Sequence, residues 1–165
     1  MKSKRVATYG VLVALAFIFS YIESMFPIPM PVPGMKLGLA NIVVVVALYT
    51  TGYKEAFVVS LVRIILVGFT FGNMNTMLYS LSGGILSFAM MALMKKLNLL
   101  SIVGVSVIGA VFHNIGQIMV AMLLLESTVL LYYLPFLLIS ALVSGVVIGI
   151  IGSIMSKRLI RVLNL

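Results

Sequence analysis

The sequence predicts an all-α integral membrane protein: a bundle of six transmembrane helices with both termini in the cytoplasm. Three observations predict it. The first is composition: 63% of the 165 residues are hydrophobic, 8% are charged and 14 are glycine. The mean hydropathy is +1.30. Soluble domains hold about 45–50% apolar residues, glycine included. A small soluble fold leaves too much surface exposed to hide such a share, and disorder requires low hydrophobicity. The second is the set of charge-free stretches at 6–22, 37–53, 64–94, 97–125 and 127–156, since a helix needs about 20 apolar residues to cross the hydrocarbon core. The third is the placing of the basic residues in small groups between these stretches.

The first helix is expected at about 6–26, after Lys2, Lys4 and Arg5. It opens like a secretory signal, but no small-x-small cleavage site follows Tyr21 and the run is long enough to span, so it is read as retained. Phe26–Gly34 holds four of the five prolines, at alternate positions. Such a segment cannot continue a helix and favours an extended chain. It reads either as a lid over an outward-facing pocket or as a stiff connector. The second helix is expected at about 36–50 and the third at about 53–71, with Arg63 in its middle. Gly72-Asn73-Met74-Asn75-Thr76 is a turn signal. The fourth helix follows at about 77–94, the fifth at about 102–125 and the sixth at about 130–155. Together they form one transmembrane domain over 1–165, with no visible repeat.

Orientation follows from the loops. Lys2, Lys4, Arg5, Lys54, Lys95, Lys96, Lys157, Arg158 and Arg161 fall on one side and Lys36 alone on the other. The basic side is the cytoplasmic one. Tyr9, Tyr49 and Tyr53 fall near the inner boundary, and Tyr21, Tyr79, Tyr132 and Tyr133 near the outer one, as an aromatic belt requires. The expected location is the plasma membrane of a prokaryote.

Polar groups within a bilayer are costly, which makes each one a candidate for function. Arg63 lies nine residues beyond Lys54, about 13–14 Å deep at 1.5 Å per residue. It is either an anchor for a phosphate or carboxylate or a structural arginine paired with helix ends or a glutamate. On the fifth helix His113 and Gln117 are four residues apart and share a face, with Asn114 beside them. Ser106, Gly109, Ala110 and Ala121 extend that face, so it meets protein rather than lipid. Ligand recognition and interhelical hydrogen bonding both fit it. Asn41, Glu23 and the loop residue Asn73 fall in the same outer half. Polar groups converging in an apolar bundle are the mark of a small-molecule site; headgroup solvation is the plainer account of Glu23 and Asn73. Met25, Met30, Met35, Met74 and Met77 flank the outer loops and read mainly as apolar filler.

Small residues recur at four-residue spacing, which lets helices approach closely. Gly10 and Ala14, with Ala7 nearby, form one such face. Ala141, Gly145, Gly149 and Ser153 form another. The sixth-helix stripe reads as packing within the bundle, and the first-helix face is open to a partner protein.

Several chemistries are excluded. The basic residues do not cluster on a solvated face, so nucleic acid is not a partner. No G-x-x-x-x-G-K-[ST] occurs. The acids are Glu23, Glu55 and Glu126 with no aspartate, so no Asp-rich cluster holds Mg²⁺ on a diphosphate. Cysteine is absent, the lone histidine lacks metal-site companions, and no Ser/His/Asp or Cys/His set can be assembled. The chain is expected to be no enzyme and to hold no metal or cofactor.

Lys36-Leu37-Gly38-Leu39-Ala40-Asn41-Ile42-Val43, Gly72-Asn73 after an arginine-bearing helix, and Gly109-Ala110-Val111-Phe112-His113-Asn114-Ile115-Gly116-Gln117 together resemble the Gx transporter family, also called heptaprenyl diphosphate synthase component I. The resemblance covers nearly the whole chain. The synthase name implies a part in making a polyprenyl diphosphate, with Mg²⁺-dependent catalysis in a different, soluble subunit. The family is also similar in size and topology to the S components of energy-coupling factor (ECF) transporters. This implies a six-helix protein that captures a vitamin at the outer face. It also implies docking through an Ala-xxx-Ala face of the first helix on a transmembrane coupling subunit driven by ATPases. The nearest match here is Gly10-xxx-Ala14. The expected function is therefore a substrate-binding subunit of an ECF-type uptake transporter; the alternative is a non-catalytic membrane subunit for a soluble prenyl synthase.

Overall fold

The protein is seen in a computed structural model that describes residues 2–25 and 38–163. Six α-helices follow one another: α1 (Lys2–Met25), α2 (Asn41–Thr50), α3 (Tyr53–Thr70), α4 (Met74–Leu97), α5 (Ile102–Leu125) and α6 (Leu134–Leu163). A 3-10 helix, Thr128–Tyr133, precedes α6. No strand occurs among the described residues. The Pro-rich segment, Met30, Met35 and Lys36 lie outside the described residues.

Four helical stretches are long and apolar enough to cross a membrane: Val6–Met25, Met74–Leu97, Ile102–Leu125 and Thr128–Arg161. The six full crossings expected from sequence are not matched at α2 and α3. With 10 residues, α2 is about 15 Å long, half of the ~30 Å hydrocarbon core. Its start differs from the expected residue 36. Gly38 has φ +87°, a left-handed conformation suited to glycine. The amides of Asn41 and Ile42 donate to the carbonyls of Gly38 and Leu39 at 2.8 and 3.0 Å. This turn delays the helix to Asn41. At α3 the charges of Lys54, Glu55 and Arg63 interrupt the apolar run.

Capping explains two further differences. Asn73 accepts from the Thr76 amide at 2.9 Å, and the Thr76 hydroxyl accepts from the Asn73 amide at 2.9 Å. That capping box begins α4 at Met74 rather than 77, placing most of the apparent turn inside the helix. At the far end Asn98 closes α4 in the left-handed region, φ 51°, which asparagine tolerates. The last helix begins at Leu134 rather than 130, after the 3-10 turn. Pro135 then sits in its first turn, where no intrahelical N–H is needed.

Packing runs α2–α6–α5–α4–α3 and back to α2, with α1 laid against α2 and α3. Every residue from Ile42 to Leu48 is buried, as a helix apolar on all faces must be. Within lipid, apolar burial does not drive association; close packing does. The glycines show this. A Cβ at Gly145 would lie 2.7 Å from Val107 Cα, and one at Gly149 would lie 2.7 Å from Val103 Cα. The α6 stripe is thus the contact surface for α5. The end of α2 is held by Lys95, which donates to the Leu48 carbonyl. Its ammonium stands 4.8 Å from the Tyr49 ring and 4.6 Å from the Tyr53 ring.

The aromatic belt needs one correction. Tyr79 is buried, packed with Ile118, Ala121, Leu130 and Leu137, because it falls on the face of α4 turned toward α5. Tyr21, Tyr53, Tyr132 and Tyr133 are exposed.

Candidate ligand-binding site

Three helices bring unusual polar groups together. On α3, Ala56, Val59, Ser60, Arg63 and Ile64 form one buried stripe, with the i, i+3, i+4, i+7 spacing of a core face. Arg63 therefore points inward and is 7% exposed. On α5, His113 and Gln117 are 5% and 1% exposed. On α1, Leu12, Ala16 and Ser20 form the buried strip, four residues apart and so in line. The Arg63 Nη1 donates to the Ser20 hydroxyl oxygen at 3.5 Å. Arg63 lies within electrostatic range of His113 and Glu23 within that of Arg63, while the His113 ring also meets the backbone of Gly83. Ser20, Glu23, Arg63 and His113 thus form one neighbourhood, which Gln117 joins one turn along α5.

Glycines shape it. A Cβ at Gly83 would lie 2.7 Å from the His113 carbonyl oxygen, 2.9 Å from Gln117 Cγ and 3.1 Å from His113 Cε1. A Cβ at Gly116 would lie 2.8 Å from the Ser82 carbonyl and 2.9 Å from Gly83 Cα. Only glycine at both positions lets α4 and α5 approach this closely, and the approach fixes the ring and the amide. The Ser82 hydroxyl crosses the same seam, donating to the Gly116 carbonyl at 2.9 Å.

The polar atoms are underused. Among the described residues, Arg63 Nε and Nη2, His113 Nδ1, and both amide atoms of Gln117 are buried without a hydrogen-bond partner. Buried polar groups are almost always bonded, and each unmet one costs about 1–3 kcal/mol. Five of the six such atoms among the described residues fall on these three side chains; the sixth is Ser156 Oγ on α6.

The other sequence candidates have separate settings. Glu23 is half-buried and accepts from the Gly38 amide at 2.6 Å, tying the end of α1 to the turn before α2. Asn41 lines a cavity of about 10 Å³ with Ser87, Ser106 and Gly109, one turn along α4 and α5 from Gly83 and His113. That is room for about one water. Asn73 is the exposed cap of α4. Asn114 turns away from His113 and donates to the Leu137 carbonyl on α6 at 2.9 Å. The cluster also contains Ser20, Gly83 and Gly116, which the sequence reading left out. The signal for Ser20 was its place three residues before Glu23, on the same face of α1. No group of three His, Cys, Asp or Glu that could hold a metal occurs among the described residues.

On the side of α1 away from Leu12, Ala16 and Ser20, the residues Ala7, Gly10 and Ala14 are exposed, and a Cβ at Gly10 would meet nothing within 4 Å. The small face expected on the first helix is turned outward.

The described residues thus form an all-α bundle with four helices long and apolar enough to cross a membrane and a group of buried polar side chains inside it. That fold is shared with a solved structure described as "Structure and mechanism of the S component of a bacterial ECF transporter". The TM-score is 0.68 at 22% identity, over 99% of each chain, so the two have the same fold. No curated protein matches the sequence. The heptaprenyl diphosphate synthase component I family matches residues 12–155, and the chain belongs to that family.

Proposed function

We propose that this chain is the membrane-embedded substrate-binding subunit of an ECF-type uptake transporter, a single six-helix unit with both termini in the cytoplasm of a prokaryotic cell. The observation that carries the reading is the set of unpartnered polar atoms on Arg63, His113 and Gln117, gathered inside an S-component fold. Buried donors and acceptors without protein partners are groups that a polar ligand could satisfy. Arg63, His113 and Gln117 form the centre. Glu23 and Asn41 border it, while Asn73 caps α4 and Asn114 ties α5 to α6. The subunit carries out no chemistry itself. The outward face of Ala7, Gly10 and Ala14 supplies a close-approach surface for a helix of a transmembrane coupling subunit, whose ATPases drive release. The test is binding of small water-soluble metabolites to the protein in mild detergent. His113→Ala and Asn41→Ala weaken binding if the site is placed correctly; unchanged affinity in both variants removes the assignment.

The family description favours a second reading, a non-catalytic membrane subunit that raises the activity of a soluble prenyl synthase. Of the cytoplasmic bases that such a partner would use, Lys95 is already engaged with Leu48, Tyr49 and Tyr53, whereas Lys96 is exposed. Co-reconstitution with a prenyl synthase separates the two readings, since the transporter reading predicts no change in synthase rate.

A further inference from the structure

We infer that the site takes a small organic acid: one carboxylate seated on Arg63, with an adjoining hydrogen-bonding group read by His113 and Gln117. The inference rests on the substrate-binding reading above and specifies its ligand. Two observations carry it.

The first is which atoms of Arg63 are used. Its Nη1 turns to Ser20, while Nε and Nη2 are unpartnered. The Nε–H and one Nη2–H lie along the same edge of the planar guanidinium and point in parallel. That edge matches the two oxygens of a carboxylate as a fork. Gln117, one helical turn from His113, adds an unused donor and an unused acceptor. A ligand that meets both must carry a polar group such as an amide or ring nitrogen beside its acid.

The second observation is charge. Among the described residues Arg63 is the one cation in this neighbourhood. Lys54 opens α3, while Lys95 and Lys96 close α4, at the opposite end of the bundle. Glu23 is within electrostatic reach of Arg63. The described residues of this neighbourhood therefore offer at most one net positive charge. A carboxylate brings one negative charge. A phosphate monoester brings nearly two and a diphosphate more, and buried charge without compensation is strongly unfavourable. The described charges therefore favour a carboxylate over a prenyl diphosphate, the product class that the family description names.

The test uses the full chain purified in mild detergent from cells grown in complex medium. Small molecules retained through purification are released by denaturation and identified by mass spectrometry. Arg63→Lys keeps the charge and loses the fork; Gln117→Met keeps the chain length and loses the amide. Melting temperature and helical content control for folding. The expected result is a carboxylic acid retained by the parent protein, reduced about ten- to a hundredfold in each variant, whose amide derivative does not rebind. Retention of an uncharged compound, a phospholipid or a phosphorylated metabolite overturns the inference and leaves the substrate-binding reading standing. Retention of nothing by a folded parent protein overturns both. A carboxylic acid held equally by both folded variants overturns the assignment to Arg63 and Gln117.

Discussion

Replacing Gln117 with methionine should make the ligand-free protein more stable and a poorer binder. Gln117 is 1% exposed and both of its amide atoms lack a partner among the described residues. Its Cγ lies close to Gly83, 2.9 Å from where a Cβ there would stand. Leucine would branch at that atom and collide with α4, whereas methionine is unbranched and matches glutamine in length. The substitution removes two buried polar atoms that cost about 1–3 kcal/mol each when unmet. Interhelical polar contacts in bilayers average nearer 0.6 kcal/mol, so the net gain is placed at about 1–3 kcal/mol. For a chain of this size, 1 kcal/mol moves the melting temperature by about 2–4 °C. Gln117→Met should therefore melt about 2–12 °C higher by circular dichroism, which suits a chain without tryptophan. A fall in melting temperature would show that the amide is a structural bond, and the argument for a ligand site at Gln117 would be lost.

Other outcomes follow from the same geometry. Gly116→Ala forces α4 and α5 apart because its Cβ meets the backbone of Ser82 and Gly83; a loss of about 1–3 kcal/mol in thermal melting, together with weaker ligand retention, is expected. Asn73→Ala removes the capping box of α4 and should cost about 1 kcal/mol while leaving the Arg63 cluster intact, so melting changes and binding does not. Lys95→Met uncaps α2 at Leu48 and removes both ring contacts, and should lower the melting temperature more than Lys96→Met, whose parent side chain is exposed. Gly10→Leu adds bulk to a surface where, among the described residues, an added Cβ meets nothing within 4 Å; stability and ligand retention should hold while co-purification of a membrane partner is lost.

Much of the bundle was legible because the signals are local. Ser101 accepts from the Gly104 amide at 3.3 Å to open α5, four residues into the charge-free run, and Glu126, which ends that run, closes the helix in the left-handed region at φ 48°. The start of α2 was not legible, because Leu39 and Ala40 read as helix formers while the turn is set by Gly38 and its contact with Glu23, fifteen residues away. Tyr79 was misplaced for a related reason: depth along a helix follows from residue count, but the facing direction depends on which neighbour packs there. In the candidate site, Arg63, His113 and Gln117 stood out because polar groups are scarce in such a chain. Their relation to Ser20 and to the Gly83–Gly116 seam came only from the packing of α1, α3, α4 and α5.

The central claim, that this is a transporter's binding subunit, is tested most directly by purifying the tagged chain from native membranes in mild detergent and identifying its companions by mass spectrometry. The account predicts a transmembrane coupling protein together with ATPases, lost in Gly10→Leu. A soluble prenyl synthase without ATPases would contradict it.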